Sequence, residues 1–214
     1  MKGIYAVYKP KGPTSHDVID QLRRETGVRK IGHAGTLDPL ASGVLVVGVG
    51  RENTKKLGQI VKKEKEYLAK IRLGITSTTD DEEGQKKKVK VLEIPNYKEI
   101  EGAVAKFEGE ILQTPPIYSA VKVNGVPAYK LARQGKTPQL EPRQILIKEI
   151  KILKYQWPYL KLRVVTGPGV YIRALARDIG QRLKTGAYLT ELERIRVGNF
   201  TKDESVVAEE ISKA

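Results

Sequence analysis

The segment RKIGHAGTLDPLASGVLVVGVG, Arg29 to Gly50, sets two unlike halves side by side. Its second half, Val44 to Gly50, is apolar and β-branched at consecutive positions, the pattern of a central strand buried on both faces. Its first half is a Gly-Thr-Leu turn that ends in a single carboxylate, Asp38, directly before Pro39. Two readings of that charge are open. In one, Asp38 ties an Asx-turn by bonding nearby backbone N–H groups. In the other, the carboxylate is held there for chemistry.

Outward from this segment the chain reads as α+β. GIYAVYKP alternates apolar residues and runs into Lys-Pro-Lys-Gly-Pro, a short strand and a turn. Thr14 or Ser15 caps a helix that buries Val18, Ile19 and Leu22 and stops at Gly27. EYLAKIRLG has period 2, with Tyr67, Ala69, Ile71 and Leu73 on one face, so the Tyr67 ring points inward. A helix capped by Asn96 follows, spaced on Ile100, Val104 and Phe107. ILIKEIKILKY and YLKLRVVTGPG read as consecutive strands, and VYIRALARDIGQRLKTG as a helix burying Ile172, Leu175, Ile179 and Leu183. Between these elements Pro115 to Gln144 is rich in Pro, Gly and basic residues, with Tyr118 and Tyr129 interleaved. It reads either as a mobile excursion suited to RNA contact or as a surface loop whose tyrosines pack locally.

The 214 residues fit one main domain, possible appendages aside. Lys and Arg number 39 against 25 Asp and Glu, a net charge of +14, which points to a polyanionic partner. Without cysteine, disulfides and thiol catalysis are excluded. His16 and His33 are the two histidines and lack metal-ligand spacing, so no metal site is expected. No phosphate-cradling Gly-x-x-x-x-Gly-Lys loop occurs, and GVGREN is too short for a dinucleotide fingerprint. The acidic run Asp80 to Glu83 does not fit a calcium loop and reads as a solvated turn. No stretch approaches the roughly 20 apolar residues of a membrane span, and the N-terminal residues lack the long apolar region of a signal peptide. A cytoplasmic protein without membrane attachment is expected.

Arg173 falls in the first turn of its predicted helix, where the positive end of the helix dipole disfavours a cation. It therefore wants an anion nearby, either an RNA phosphate or a carboxylate such as Asp38. Paired with the arginine fork, such a carboxylate stays ionised despite partial burial.

Six segments, in order, resemble the TruB-type tRNA pseudouridine synthases: KPKGPTSHDV, GHAGTLDPLASGVL, KEYLAKIRLG, PPIYSAVKVNG with AYKLARQG, GVYIRALARDIG and TGAYLTELERIRVG. The resemblance spans nearly the whole chain. It implies the pseudouridine synthase fold, a mixed, largely antiparallel sheet flanked by helices, with a flexible insert at about 115–144 that closes on RNA. It implies isomerisation of uridine to pseudouridine in the T loop of tRNA, at position 55, by base flipping and without a cofactor. Asp38 matches the aspartate that attacks the target uridine, Arg173 its ion-pair partner, and Tyr67 the tyrosine stacked on the flipped uracil. Tyr171 matches a second pocket tyrosine that assists late proton removal from carbon 5. His33 matches the histidine that helps open the T loop, Leu192 a leucine of the base pocket, and Lys9 with Pro10 a structural motif beneath it.

The sequence departs from the family's pattern in three places. It stops at Ala214, so a single catalytic domain over 1–214 without the RNA-binding domain of the PUA type is expected. Leu192-Glu193-Arg194 replaces Leu-Arg-Arg. Thr78 stands where the family's Thr-Asp-Thr-x-Asp loop has its first Asp, so that loop is given no role. Guide-dependent relatives generally carry the PUA domain, so a stand-alone, monomeric enzyme without guide RNA is expected. The rival reading is a catalytically silent RNA-binding module or tRNA folding helper. It needs only charge and stacking, whereas Asp38, Arg173, Tyr67 and Tyr171 are all present.

Overall fold

In the computed structural model, which describes residues 2–208, β1 (Gly3–Lys9) turns through Lys-Pro-Lys-Gly-Pro into α1 (Ser15–Thr26). Thr14 is the cap: its hydroxyl accepts the Asp17 N–H while the Asp17 carboxylate accepts the Thr14 N–H. This reciprocal pair satisfies two donors that the first helical turn leaves free. Gly27 ends the helix at φ 69°, a left-handed conformation that glycine adopts without a Cβ clash. β2 (Ile31–Ala34), β3 (Ala41–Val49) and α2 (Arg51–Val61) follow, with Asp38 in the turn between the two strands.

β4 (Lys65–Leu73) alternates as its period predicts, with Tyr67, Ala69, Ile71 and Leu73 buried and Leu68, Lys70 and Arg72 partly exposed. β5 (Ile75–Ser77) pairs with β6 (Lys86–Lys88), and α3 (Tyr97–Ala105) starts from the Asn96 cap. Then come β7 (Gly109–Gln113), the small hairpin of β8 (Lys122–Val123) and β9 (Val126–Pro127), and α4 (Ala128–Arg133). The chain continues through β10 (Arg143–Gln156), β11 (Tyr159–Thr166), α5 (Ile172–Arg182), β12 (Ala187–Val197) and β13 (Phe200–Thr201). The long strands form one sheet in the order β1-β3-β12-β4-β11-β10-β7, with β2 on β3 and β13 on β12. β12 runs parallel to β3, while β1 and β2 on β3 and β7 on β10 are antiparallel, so the sheet is mixed and the fold is α+β.

The residues divide into two compact units. One comprises the segments up to Leu68, Val165–Pro168 and from Leu192 onward; the other comprises Ala69–Val164 and Gly169–Glu191. In the first unit, Leu45, Val47 and Val49 of β3 pack with Val18, Ile19 and Leu22 of α1. Val44 and Val46 turn the other way, to Ala34, Leu57 of α2 and Val197. A helix on each side is why this strand is apolar on both faces, and each fully buried Val or Leu contributes roughly 2 kcal/mol. Gly43 is held at φ 108°, and a Cβ there would lie 2.1 Å from the Arg194 carbonyl oxygen, so β12 approaches as closely as it does only against glycine.

In the second unit α3 packs on β10 and α5, burying Ile100, Val104, Ile147, Leu175 and Ile179. Leu183, expected inside, sits at the C-cap of α5 and is only partly buried. The 115–144 segment, read from its composition as an excursion or surface loop, holds short elements of its own. It folds into β8, β9 and α4, and the Ala128 N–H donates to the Val121 carbonyl at 2.7 Å, both residues being buried.

Candidate active site

In the first unit the turn bearing Asp38 is fastened along its length. Ser15, at the start of α1 and buried, accepts the Leu37 N–H at 2.8 Å and donates its hydroxyl to the Leu37 carbonyl at 3.0 Å. The Gly12 N–H donates to the Pro39 carbonyl at 2.8 Å, and the Ala41 N–H to the Asp38 carbonyl at 3.0 Å. Arg194, fully buried on β12, donates through Nη2 to Gly35 and through Nε to Val44. Asp38 itself is partly exposed, so a carboxylate with access to solvent is presented on a backbone with little freedom.

Lys9 lies beneath this turn, fully buried, its Nζ donating to the carbonyls of Pro10 at 2.9 Å and Pro13 at 2.7 Å. Burial lowers its pKa to about 8, an effect that the Asp38 charge opposes and Arg194 reinforces. The ammonium therefore braces the Lys-Pro-Lys-Gly-Pro turn from inside. His33, on β2, is partly buried with its ring edge-on to His16 at 6.0 Å, and burial together with the His16 charge lowers its pKa. Tyr67 on β4 and Leu192 on β12 are buried in the same unit, Leu192 paired in register with Ala41, three residues beyond Asp38.

In the second unit Tyr171 and Arg173 stand at the N-terminus of α5. Tyr171 occupies the cap position, and its backbone is gripped by Gln113 of β7, whose Oε1 accepts the Tyr171 N–H at 2.9 Å and whose Nε2 donates to the Tyr171 carbonyl at 3.2 Å. Arg173 is buried, donating to the carbonyls of Thr79 at 3.2 Å and Tyr118 at 3.0 Å and lying 3.3 Å from the Asp81 carboxylate. The anion that its position demands is, within this unit, Asp81. Asp38 and Arg173 belong to different units.

This corrects two readings of the sequence. The acidic run is not a solvated turn, because Asp81 is 3 % exposed and Asp80 bonds Arg177 at 2.9 Å, with burial still pushing the Asp80 carboxyl above its ordinary value. Nor is the loop after β5 without a role. Asp81 also accepts from the Thr79 hydroxyl and, at 3.0 Å, from the Glu83 N–H, so the carboxylate that meets Arg173 is itself fixed. The clue was present in spacing: Arg173 and Arg177 are one helical turn apart and share a face, matching the adjacent pair Asp80 and Asp81. Ser15 and Gln113 carry no comparable signal, since a polar side chain that serves a distant backbone has no local pattern.

Against known families, the model of the TruB pseudouridylate synthase N-terminal domain matches residues 23–172, and that of the tRNA pseudouridylate synthase B C-terminal domain matches 173–214. The chain belongs to the TruB family. The boundary between the two matches falls inside α5. Family members similar to the chain include the tRNA pseudouridine synthase B of Clostridium novyi, 48% identical over 96% of this chain and 71% of that protein. The tRNA pseudouridine synthase B of Mycobacterium sp. strain KMS is 47% identical over 95% of this chain and 69% of its own length. Among solved structures, a chain of a Cbf5-Nop10-Gar1 complex superposes with a TM-score of 0.76 at 30% identity, over 99% of this chain. The chain spans about half, 54%, of that protein's length.

Proposed function

We propose that this TruB-family chain isomerises uridine to pseudouridine in the T loop of tRNA, at position 55, with Asp38 as the attacking carboxylate. Family membership supports the reaction class, an isomerisation of uridine in tRNA. The observation that carries the assignment of Asp38 is the turn around it: Leu37, Asp38 and Pro39 are each fixed through the backbone while the carboxylate keeps access to solvent. A nucleophile needs that combination, because misplacement by a fraction of an ångström removes much of the advantage of a held geometry.

A uridine inside a folded T loop is out of reach of any side chain, so the enzyme must extrude it and compensate for the lost stacking. Tyr67 is assigned to stack on the flipped uracil, with Leu192 beside it and His33 helping to open the loop. Tyr171 assists the proton's departure from carbon 5. Arg173, held by Asp81 and two carbonyls, is assigned as the cation that pairs with the attacking carboxylate. Lys9 and Pro10 support the floor of the site. The reaction breaks the bond from N1 to ribose, turns the base and rejoins ribose to C5, with no net redox change and no group donor, so no cofactor is required.

Recognition without guide RNA, a monomeric state and a cytoplasmic location complete this reading. The higher identity to proteins described as tRNA pseudouridine synthase B than to the chain of the Cbf5 complex supports the first. Among the described residues no helix is long and apolar enough to cross a membrane. The test is pseudouridine mapping on a uridine-containing T-arm stem-loop incubated with the purified chain. Conversion at one T-loop uridine is expected, and its absence would overturn the assignment.

A further inference from the structure

The second unit carries a cluster of basic and aromatic side chains that the uridine chemistry does not use. The turn from β10 to β11 encloses a cavity of about 360 Å³, lined by Lys70, Lys154, Lys161, Trp157, Pro158 and Tyr159, with Gln156 beside them. Strand alternation places it on the solvent face of the sheet: Lys70 alternates with buried Ala69 and Ile71, and Tyr159 and Lys161 with buried Leu160 and Leu162.

The cavity is built on fixed parts. The Leu73 N–H donates to the Pro158 carbonyl at 2.8 Å, which pins the turn to the end of β4. The Trp157 ring lies 3.4 Å from where a Cβ on Gly74 would be, so the ring is seated against a position kept open by glycine at φ 85°. Lys70 lies 5.0 Å from the centre of the Tyr159 ring and bridges to Glu191 at 2.6 Å. Lys154 and Lys161 are exposed and make no ion pair among the described residues. No carboxylate lines the cavity.

We propose that this cavity is a second RNA-contact site that takes one nucleotide of a single strand, its base against Trp157 and Tyr159 and its flanking phosphates on Lys154 and Lys161. Only the choice of RNA rests on the proposed function; the site's chemistry is independent of it. Every base offers a face that stacks on an aromatic ring, and lysines neutralise phosphates as point charges without geometric demand. The volume lies at the lower end of the range for small-ligand pockets, the scale of one nucleotide rather than a folded motif. Lysine is depleted where proteins meet proteins, so Lys154 and Lys161, which pair with no acid among the described residues, favour a phosphate over an acidic peptide.

Trp157 is the single tryptophan of the chain, so its emission reports on this cavity alone. The full chain is titrated with single-stranded hexauridylate, and in parallel with polyglutamate. Saturable quenching by the RNA is expected, with a midpoint that rises with salt and becomes about tenfold weaker in the Lys154→Ala/Lys161→Ala double variant as two phosphate contacts are lost. No quenching, or the same midpoint in the double variant, overturns the site, and equal quenching by polyglutamate overturns it in favour of an acidic protein partner. T-arm conversion measured on the same preparation separates the two claims. Conversion without quenching removes this site and leaves the proposed function; quenching without conversion does the reverse.

Discussion

Ser15 holds Leu37 by both of its backbone groups, accepting the N–H at 2.8 Å and donating to the carbonyl at 3.0 Å, one residue before Asp38. Replacing that buried hydroxyl by hydrogen leaves the Leu37 N–H and carbonyl without their partner. Ser15→Ala is therefore expected to lose about 1–3 kcal/mol in urea unfolding. It should also lower turnover on a T-arm stem-loop by about tenfold while RNA affinity stays near the parent's, since the carboxylate is misplaced and the binding surface is not. Turnover equal to the parent's would mean that the Asp38 turn keeps its shape without Ser15.

Gln113 does for Tyr171 what Ser15 does for Leu37. Gln113→Met keeps the length of the side chain but strips both bonds from the start of α5, where Arg173 follows two residues on. A loss of about 1–3 kcal/mol is expected, together with a fall in kcat that exceeds any rise in KM. Gln113→Glu retains the acceptor for the Tyr171 N–H and should recover part of the rate. If both variants turn over like the parent, Tyr171 is positioned by other contacts.

These two clamps show where sequence reading ends. β3 and β4 were legible because burial on two faces or one writes a period into neighbouring residues, as Val44 to Val49 and Tyr67 to Leu73 do. α1 was legible from its cap and its terminal glycine. α2 was not foreseen, because only Leu57 of its 11 residues is buried, too sparse a stripe to stand out. The strands within 115–144 are two residues each, below the length at which alternation exists. Within the site, Asp38 stood out as a lone charge beside an apolar run, and Arg173 as a cation at the wrong end of a helix. Asp81 was hidden by three acidic neighbours, which made a buried carboxylate look like part of a solvated run.

That buried pair supports a third prediction. Asp81 is 3 % and Arg173 5 % exposed, so removing one charge strands the other in a poorly solvated place. Asp81→Ala is expected to cost about 3–5 kcal/mol, measured by chemical unfolding. Asp81→Asn keeps the acceptor for Thr79 and Glu83 and should cost less. A loss below about 1 kcal/mol for Asp81→Ala would mean that Arg173 draws no support from the pair.

Alkaline pH tests the buried lysines. Burial, reinforced by the Arg194 charge, lowers the pKa of Lys65 to about 8 from 10.5, and Lys9 falls to the same value. Between these limits the unfolded chain holds protons that the folded one has released, so stability rises as pH climbs from 8 toward 10.5 and is lost on the way back down. Each lysine contributes roughly 1–2 kcal/mol between pH 8 and 9.5. Lys65→Met should reduce that slope, read from urea midpoints at the two pH values. A slope that is flat in the parent chain would show both ammonium groups to be ordinarily solvated.

Asp38→Asn separates a turn-forming residue from a nucleophile. Asparagine keeps the size of the side chain and its ability to bond nearby N–H groups, so if Asp38 only ties an Asx-turn, activity should survive the change. The surrounding fastenings at Leu37 and Pro39 run through Ser15 and Gly12 and are untouched, so the fold should persist in either case. What asparagine lacks is the anionic oxygen. Turnover, followed as tritium release from carbon 5 of labelled uridine in tRNA, is therefore expected to vanish, while filter binding shows tRNA affinity within a few-fold of the parent's, because binding draws on the basic surface and the aromatic pocket. Arg173→Met should lower turnover as well, since the attacking carboxylate loses its assigned cation and Asp81 is left buried without a charge partner. Substantial tritium release by the Asp38→Asn variant would remove Asp38 as the nucleophile, and the turn reading of that lone carboxylate would stand.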